Sequence, residues 1–328
     1  MYQMMSLPLY SGTFQEYDSW RDLGQELERL GCDGIEGVWG GEDLPKDLPA
    51  ELILGYHLIF YPDWLDFYRD DRAALKQKFG SLEAVASFYG GLGPDTLLEQ
   101  YRADLRRAVN LGARYVVFHV SDVSLEEGYT YRWLPTNQEV IDAAVEVVNL
   151  ILGEERWPFE FLVENQWWPG FTFTEPEETA RLLEGIRFAG KGILLDTGHL
   201  MNACTELKTE AEGADYIRSM LNRHGSLAKW VRGVHLHQSL SGAYVKAHTG
   251  SLPAGLPEDY MERFGVSYQH ILQIDQHRPW TDPAILPVLE QIEPRYLTHE
   301  LSSRGRMARA EAVSIRTRLL RQGGRMRV

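Results

Sequence analysis

Apolar positions along the chain fall into short β-rich runs separated by stretches of helical period. The runs are LPLYSG (7–12), DGIEGVW (33–39), LILGYHLIF (52–60), ARYVVFHVS (113–121), FEFLVENQ (159–166), GILLDTGH (192–199), VRGVHLHQS (231–239) and RYLTHE (295–300). Most are continuously apolar rather than alternating, as expected of parallel strands covered by helices on their outer face. Between them Leu23, Leu27 and Leu30 line one face of a helix over 17–30. Leu97, Tyr101, Leu105 and Ala108 do so over 97–111, and Val140, Ile141, Ala144, Val147, Val148 and Ile151 over 138–152. A further helix is expected over 175–187, with Thr174 as N-cap and Pro176 in the first turn. Gly31, Gly112, Gly153 and Gly190 follow helical runs, where glycines close helices. Strand and helix alternating eight times predict a (β/α)8 TIM barrel, α/β in class. The competing open, doubly wound sheet is disfavoured, because the glycines at 31, 34, 37, 40 and 41 do not spell a GxGxxG phosphate loop.

The chain of 328 residues is therefore expected to be one domain, its core about 7–303, followed by a basic helix or tail over about 304–328. Two connections are unusually long: one from Tyr61 to about Asp95, after strand three, and one from Leu240 to about Pro283, after strand seven. Both leave the carboxyl ends of strands, so they are expected to be lids over a pocket. Net charge is −14. A diffuse acidic surface repels phosphate backbones, so nucleic acid is disfavoured as a partner. The exception lies between Arg304 and Arg327, with eight arginines and one acid, Glu311; it is read as a solvated last barrel helix. Two cysteines, Cys32 and Cys204, form no pairing framework. Together with the lack of a secretory pattern in MYQMMSLPLYSG and of any apolar run long enough for a bilayer, they point to a cytoplasmic protein.

Polar residues gather where the strands should end: His57, His119, Glu164 with Asn165, Asp196 with His199, His235 with His237, and His299 with Glu300. In a barrel these ends ring one opening. Side chains alternate along a strand, so Leu162 shares a face with Glu164, and Leu194 with Asp196. His235 and His237 point the same way, and both reach the pocket. His299 and Glu300 point oppositely, and Glu300 is taken as the central one. Carboxylates and imidazoles are ligands of divalent first-row metals. Three converging carboxylates, Glu164, Asp196 and Glu300, repel one another unless a cation sits among them. His224, His270 and His277 fall in helical or loop text and are expected at the surface.

ILLDTGHLMN, VENQ, GVHLHQS and the closing THE resemble the xylose isomerase-like TIM-barrel superfamily. It contains sugar isomerases and epimerases, inosose dehydratase-like proteins and the apurinic-site endonucleases related to endonuclease IV. The resemblance spans about 7–300, and Asp-Thr-x-His is its most specific element. It implies a metal set of Glu164, Asp196, His235 and Glu300, with His237 second to His235 on strand seven. It also implies a substrate-contacting or metal-binding His199, and it allows a second metal at His57 and His119, bridged by Glu164. The endonucleases carry an Asp-x-His pair after strand seven; Lys246-Ala247-His248 stands in that region here, without the aspartate.

The resemblance leads to an expectation of a metal-dependent sugar or polyol isomerase or epimerase, working through a metal-stabilised enediolate. Glu164 and Glu300 would move the proton and His199 would orient the substrate. Trp167 and Trp168 would stack on the sugar, with His237 and Lys246 as further substrate contacts. One divalent ion (Mn, Mg, Co or Zn) is expected, with provision for a second. The partner would be a small carbohydrate, and a homo-oligomer is expected only by analogy with related barrels. The alternative is a di-metal phosphoesterase of the endonuclease IV kind.

Overall fold

The structure is a computed structural model that describes residues 1–322, without the side chains of 316–318, 321 and 322. Eight strands run parallel and close on themselves: β1 (Tyr2–Leu9), β2 (Gly34–Trp39), β3 (Ile53–His57), β4 (Tyr115–His119), β5 (Glu160–Glu164), β6 (Lys191–Asp196), β7 (Val231–His235) and β8 (Tyr296–His299), with β8 returning to β1. Every strand but β2 ends earlier than its apolar run suggests, and β1 begins ahead of residue 7. Alternation with helices is not complete: β2 reaches β3 through a loop and the single 3-10 turn Ala50–Leu52. Among the described residues no helix is long and apolar enough to cross a membrane.

Local chemistry sets the helix ends. Ser19 accepts from the Asp22 N–H to open Trp20–Leu30, and Gly31 closes it in the left-handed region at φ 72°. Thr136 and Glu139 form a reciprocal cap on Asn137–Leu152. Pro176 opens Pro176–Gly185, but Glu175, not Thr174, is the N-cap, and the Thr174 hydroxyl pairs with Thr172 instead. The last helix, Gly305–Gln322, packs on Trp20–Leu30. Arg306 binds Asp22 and Glu26, and Arg309 binds Glu16. The basic end is thus partly matched by acids of the first helical layer; Arg325 and Arg327 lie outside the described residues.

Two apolar layers hold the barrel. Outward-facing Ile35, Val116, Phe161, Val163, Ile193 and Val234 are fully buried beneath the helices. At about 1.5–3 kcal/mol for each large side chain removed from water, this layer supplies most of the drive to fold. Inside, Met4, Leu54, Tyr115, Val117, Leu162, Leu194 and Tyr296 plug the lower barrel. The next level up is polar, and register puts it there: His119 lies beside Glu164, and Asp196 beside His235. The long connections are helical roofs. The first carries Leu65–Tyr68, Arg72–Phe79 and Leu82–Tyr89; the second carries Gly242–His248 and Tyr260–Ile274.

Candidate metal centre

The floor of the mouth is built on Glu36, Tyr115 and Thr298. The Tyr115 hydroxyl donates to Glu36 Oε2 at 2.5 Å, and the Thr298 hydroxyl does so at 2.9 Å. Glycine at position 55 permits this, since a Cβ there would lie 2.3–2.7 Å from the Tyr115 ring. The other carboxylate oxygen, Oε1, lies 2.8 Å from His235 Nε2. That contact has ion-pair distance but is off the hydrogen-bond axis. It leaves His235 Nδ1 facing upward, 2.7 Å from Glu300 Oε2 and 3.7 Å from both Glu164 Oε2 and Asp196 Oδ2.

Asp196 serves two purposes. Its Oδ1 accepts the His199 N–H at 2.6 Å and so caps Thr197–Asn202; its Oδ2 faces His235 and His237. Asn165 grips the Asp196 backbone from β5, donating to its carbonyl and accepting from its N–H. Gly198 lets the His237 ring in, because a Cβ there would lie 2.1 Å from it.

Three groups of potential ligand atoms result, each with its atoms within 4.8 Å of one another: Glu164, Asp196, His235 and Glu300; His57, His119 and Glu164; and His199, His237, Asp275 and His277. In the second, His57 Nδ1–H donates to the Leu58 carbonyl, which leaves Nε2 as a lone-pair donor. His57 Nε2 and His119 Nε2 are 3.0 Å apart, and each is 3.4 Å from Glu164 Oε2. Those separations are close to the edge of a tetrahedron, roughly 3.4 Å for metal–nitrogen bonds of about 2.0–2.1 Å. In the third, Asp275 Oδ2 lies 3.2 Å from both His199 Nε2 and His277 Nδ1.

The residues fit a cation. Glu164 Oε2, His235 Nδ1, Asp275 Oδ1 and Glu300 Oε2 are buried and make no hydrogen bond among the described residues, an arrangement that is costly unless something else satisfies these lone pairs. Without an ion the acids lean on the imidazoles. Burial pulls the His235 pKa down, but Glu36, Glu300 and Glu164 outweigh it and raise it well above the ordinary value. Burial also opposes the charge on His277, yet Asp275 and Glu300 push it up to about 9. Glu164, although burial disfavours its charge, is held well below the carboxylate range by His119 and His235. Burial keeps His119 below the usual histidine value.

Of the residues singled out from sequence, His57, His119, Glu164, Asp196, His199, His235, His237 and Glu300 come together, and Trp167 and Trp168 line the cavity beside them. Lys246 does not: it pairs with Glu206 on the surface, half exposed. The Asp-x-His pair is not absent but lies further along, as Asp275-Gln276-His277, just after Tyr260–Ile274; His248 is exposed and stacks on Tyr244. Nor are the three remaining histidines surface residues. His277 belongs to the site, while His224 and His270 are buried, the former bonded to Thr179 and the latter to Tyr244. Glu36, beneath His235, is a member of the site that the strand-end pattern does not reveal.

Above the cluster a cavity of about 800 Å3 opens between the strand ends and the two roofs. Phe60, Tyr61, Phe88, Trp168, Phe264 and Tyr268 form much of its wall.

Comparison with known proteins bears on this architecture. Three solved structures share the fold at low identity. Endonuclease IV from Thermus thermophilus has a TM-score of 0.55 and 15% identity over 98% of this chain and 100% of that one. Mannonate dehydratase from Streptococcus suis serotype 2 has 0.53 and 13%, over 100% and 96%. A D-tagatose 3-epimerase-like protein has 0.51 and 15%, over 99% and 98%. Among curated protein sequences none matches the chain. The family model for the xylose isomerase-like TIM barrel matches residues 25–291. The chain belongs to the xylose isomerase-like TIM barrel family.

Proposed function

We propose that the chain is a metal-dependent phosphoesterase whose centre takes more than one divalent ion. One observation carries the reading: Glu164 is shared between two ligand groups, and a third group stands beside them across Asp196 and His237. An isomerase or epimerase needs only Glu164, Asp196, His235 and Glu300. It leaves His57, His119, Asp275 and His277 without a task, although their convergence is expensive to build. Clustered ions suit in-line displacement at phosphorus, where both attacking and leaving oxygens need neutralising.

Glu164, Asp196, His235 and Glu300 would hold one ion, His57 and His119 with Glu164 a second, and His199, Asp275 and His277 a third, with His237 within reach. Bound divalent ions supply positive charge against the charge that develops on a phosphoryl group. The protein's own part is positional. Glu36 steadies His235 from below, as carboxylate partners of ligating histidines do. Gln166 Nε2 lies 3.0 Å from His199 Nδ1 and 3.4 Å from Glu164 Oε1, tying two groups together. Trp167 and Trp168 exclude water from one flank. Two cysteines that form no disulfide suit a reducing compartment such as the cytosol.

The test is metal content joined to turnover. Elemental analysis of protein purified without chelator is expected to give two or three ions per chain, from the three groups, with hydrolysis of phosphate esters. A single ion per chain, with metal-dependent exchange of a ketose proton into solvent, returns the isomerase reading. Glu164→Gln is expected to lose both metal retention and turnover, because it removes a ligand from two groups at once.

A further inference from the structure

The cavity walls say what kind of ester the centre admits. Aromatic faces stand directly against the ligand cluster: the Phe60 ring is 4.5 Å from His119 and 5.8 Å from His57, and Trp167 is 5.1 Å from His199. Across the opening Phe88, Phe264 and Tyr268 reach in from the two roofs. The Trp168 indole N–H is buried behind this wall and has no acceptor among the described residues.

The roofs also meet each other. Phe79 stacks on Tyr260 at 3.8 Å, Phe88 lies 5.3 Å from Phe264, and Arg263 donates to the Lys78 carbonyl at 3.2 Å. The space beneath, about 800 Å3, is that of a single small ligand. A polynucleotide needs free cations along its path, since duplex DNA carries a charge about every 1.7 Å. Here the one Lys or Arg lining the cavity among the described residues is Arg309, and it is bonded to Glu16. Lys78, on the first roof itself, is spent on Asp63 and Asp66. The chain as a whole carries −14.

We infer that the substrate is a small phosphate ester whose alcohol part is aromatic or otherwise apolar, and not a polynucleotide; this rests on the phosphoesterase reading. The phosphoryl end meets the carboxylate–imidazole floor, and the alcohol part lies between Phe60, Trp168 and the roof aromatics. Hydrolysis consumes one water: its oxygen forms a bond to phosphorus, the bond from phosphorus to the alcohol oxygen breaks, and the alcohol leaves with one of the water's protons.

The experiment has two arms, both on metal-loaded full-length protein. In the first, phenyl phosphate, bis(p-nitrophenyl) phosphate, a duplex with one abasic site and an unesterified ketose are offered in parallel. The expected result is kcat/KM on an aryl ester about 100-fold or more above that on the duplex, the size of a few buried aromatic contacts. Preference for the duplex overturns this inference and keeps the phosphoesterase reading; proton exchange on the ketose with no ester cleaved overturns both. In the second, tryptophan fluorescence follows binding of phenylphosphonate and methylphosphonate. Phenylphosphonate is expected to bind about tenfold or more tighter, and Phe60→Ala to erase that preference while inorganic phosphate still binds. Phe60 is half exposed, so its loss leaves the fold intact. Equal affinity for the two phosphonates in the unaltered protein overturns the inference.

Discussion

At the scale of single residues, the centre depends on side chains that would never touch an ion. Glu36 is the clearest. It is fully buried, takes two hydroxyl hydrogen bonds and braces His235. Glu36→Gln keeps the shape and gives up the charge, so metal affinity is expected to fall about 10–100-fold while the fold persists; titration of apo-protein with metal checks it. Gly55 acts one step further back. Gly55→Ala would press a methyl into the Tyr115 ring, and overpacking of this kind costs about 1–3 kcal/mol. It is expected to lower Tm and to loosen metal together.

At the scale of elements, the first roof is fastened by a buried acid. Asp122, just past β4, accepts the backbone N–H groups of Trp64 and Leu65 at 2.7 and 2.8 Å. Burial, reinforced by Asp63 nearby, pushes its pKa up to about 8. An unfolded aspartate titrates near about 3.9. Between about pH 4 and pH 8 the native state therefore holds more protons here than the unfolded chain, and stability contributed by this site falls as pH rises through that window. Asp122→Asn keeps the accepting oxygen and removes the titration. Relative to the unaltered protein it is expected to gain Tm at about pH 8 and to gain little at about pH 5; thermal unfolding at the two values decides. Equal shifts would mean that Asp122 does not titrate in this range. The second roof yields a different lesson. Asp275 and His277 escape reasoning from strand ends because they sit at the close of a roof helix, well beyond β7. Lys246-Ala247-His248, which stands nearer β7 in the chain, is the exposed last turn of the roof helix Gly242–His248.

At the scale of the molecule, the barrel was legible in the chain because parallel strands buried on both faces must be continuously apolar, and eight such runs were countable. Their ends were overestimated at Asn165, Gln166 and His237 because the polar residues that follow each strand keep an extended, apolar-flanked look while already building the site. The missing helix between β2 and β3 shows the opposite error, an alternation assumed where the chain supplies only a turn. Glu36 carries a signal of its own: an acid between Ile35 and Gly37, inside a strand covered on both sides, must have a partner. The candidate ligands of β5 to β8 were readable from parity and residue type. The number of ligand groups was not, since it depends on how closely His57, His119 and the roof residues approach, which no spacing in the chain reveals.

The contributors to the centre are spread from His57 to Glu300, with most strands and one roof each giving a part. In the proposed centre Glu164, Asp196, His235 and Glu300 come from the ends of four strands, β5 to β8, so an ion there would be held only once those strands lie side by side. Metal retention is in that sense a gauge of completeness. Limited proteolysis that parts β5 to β8 should release the ion proposed for that group, and the fraction of metal kept through a gel-filtration column should track the fraction of molecules correctly closed.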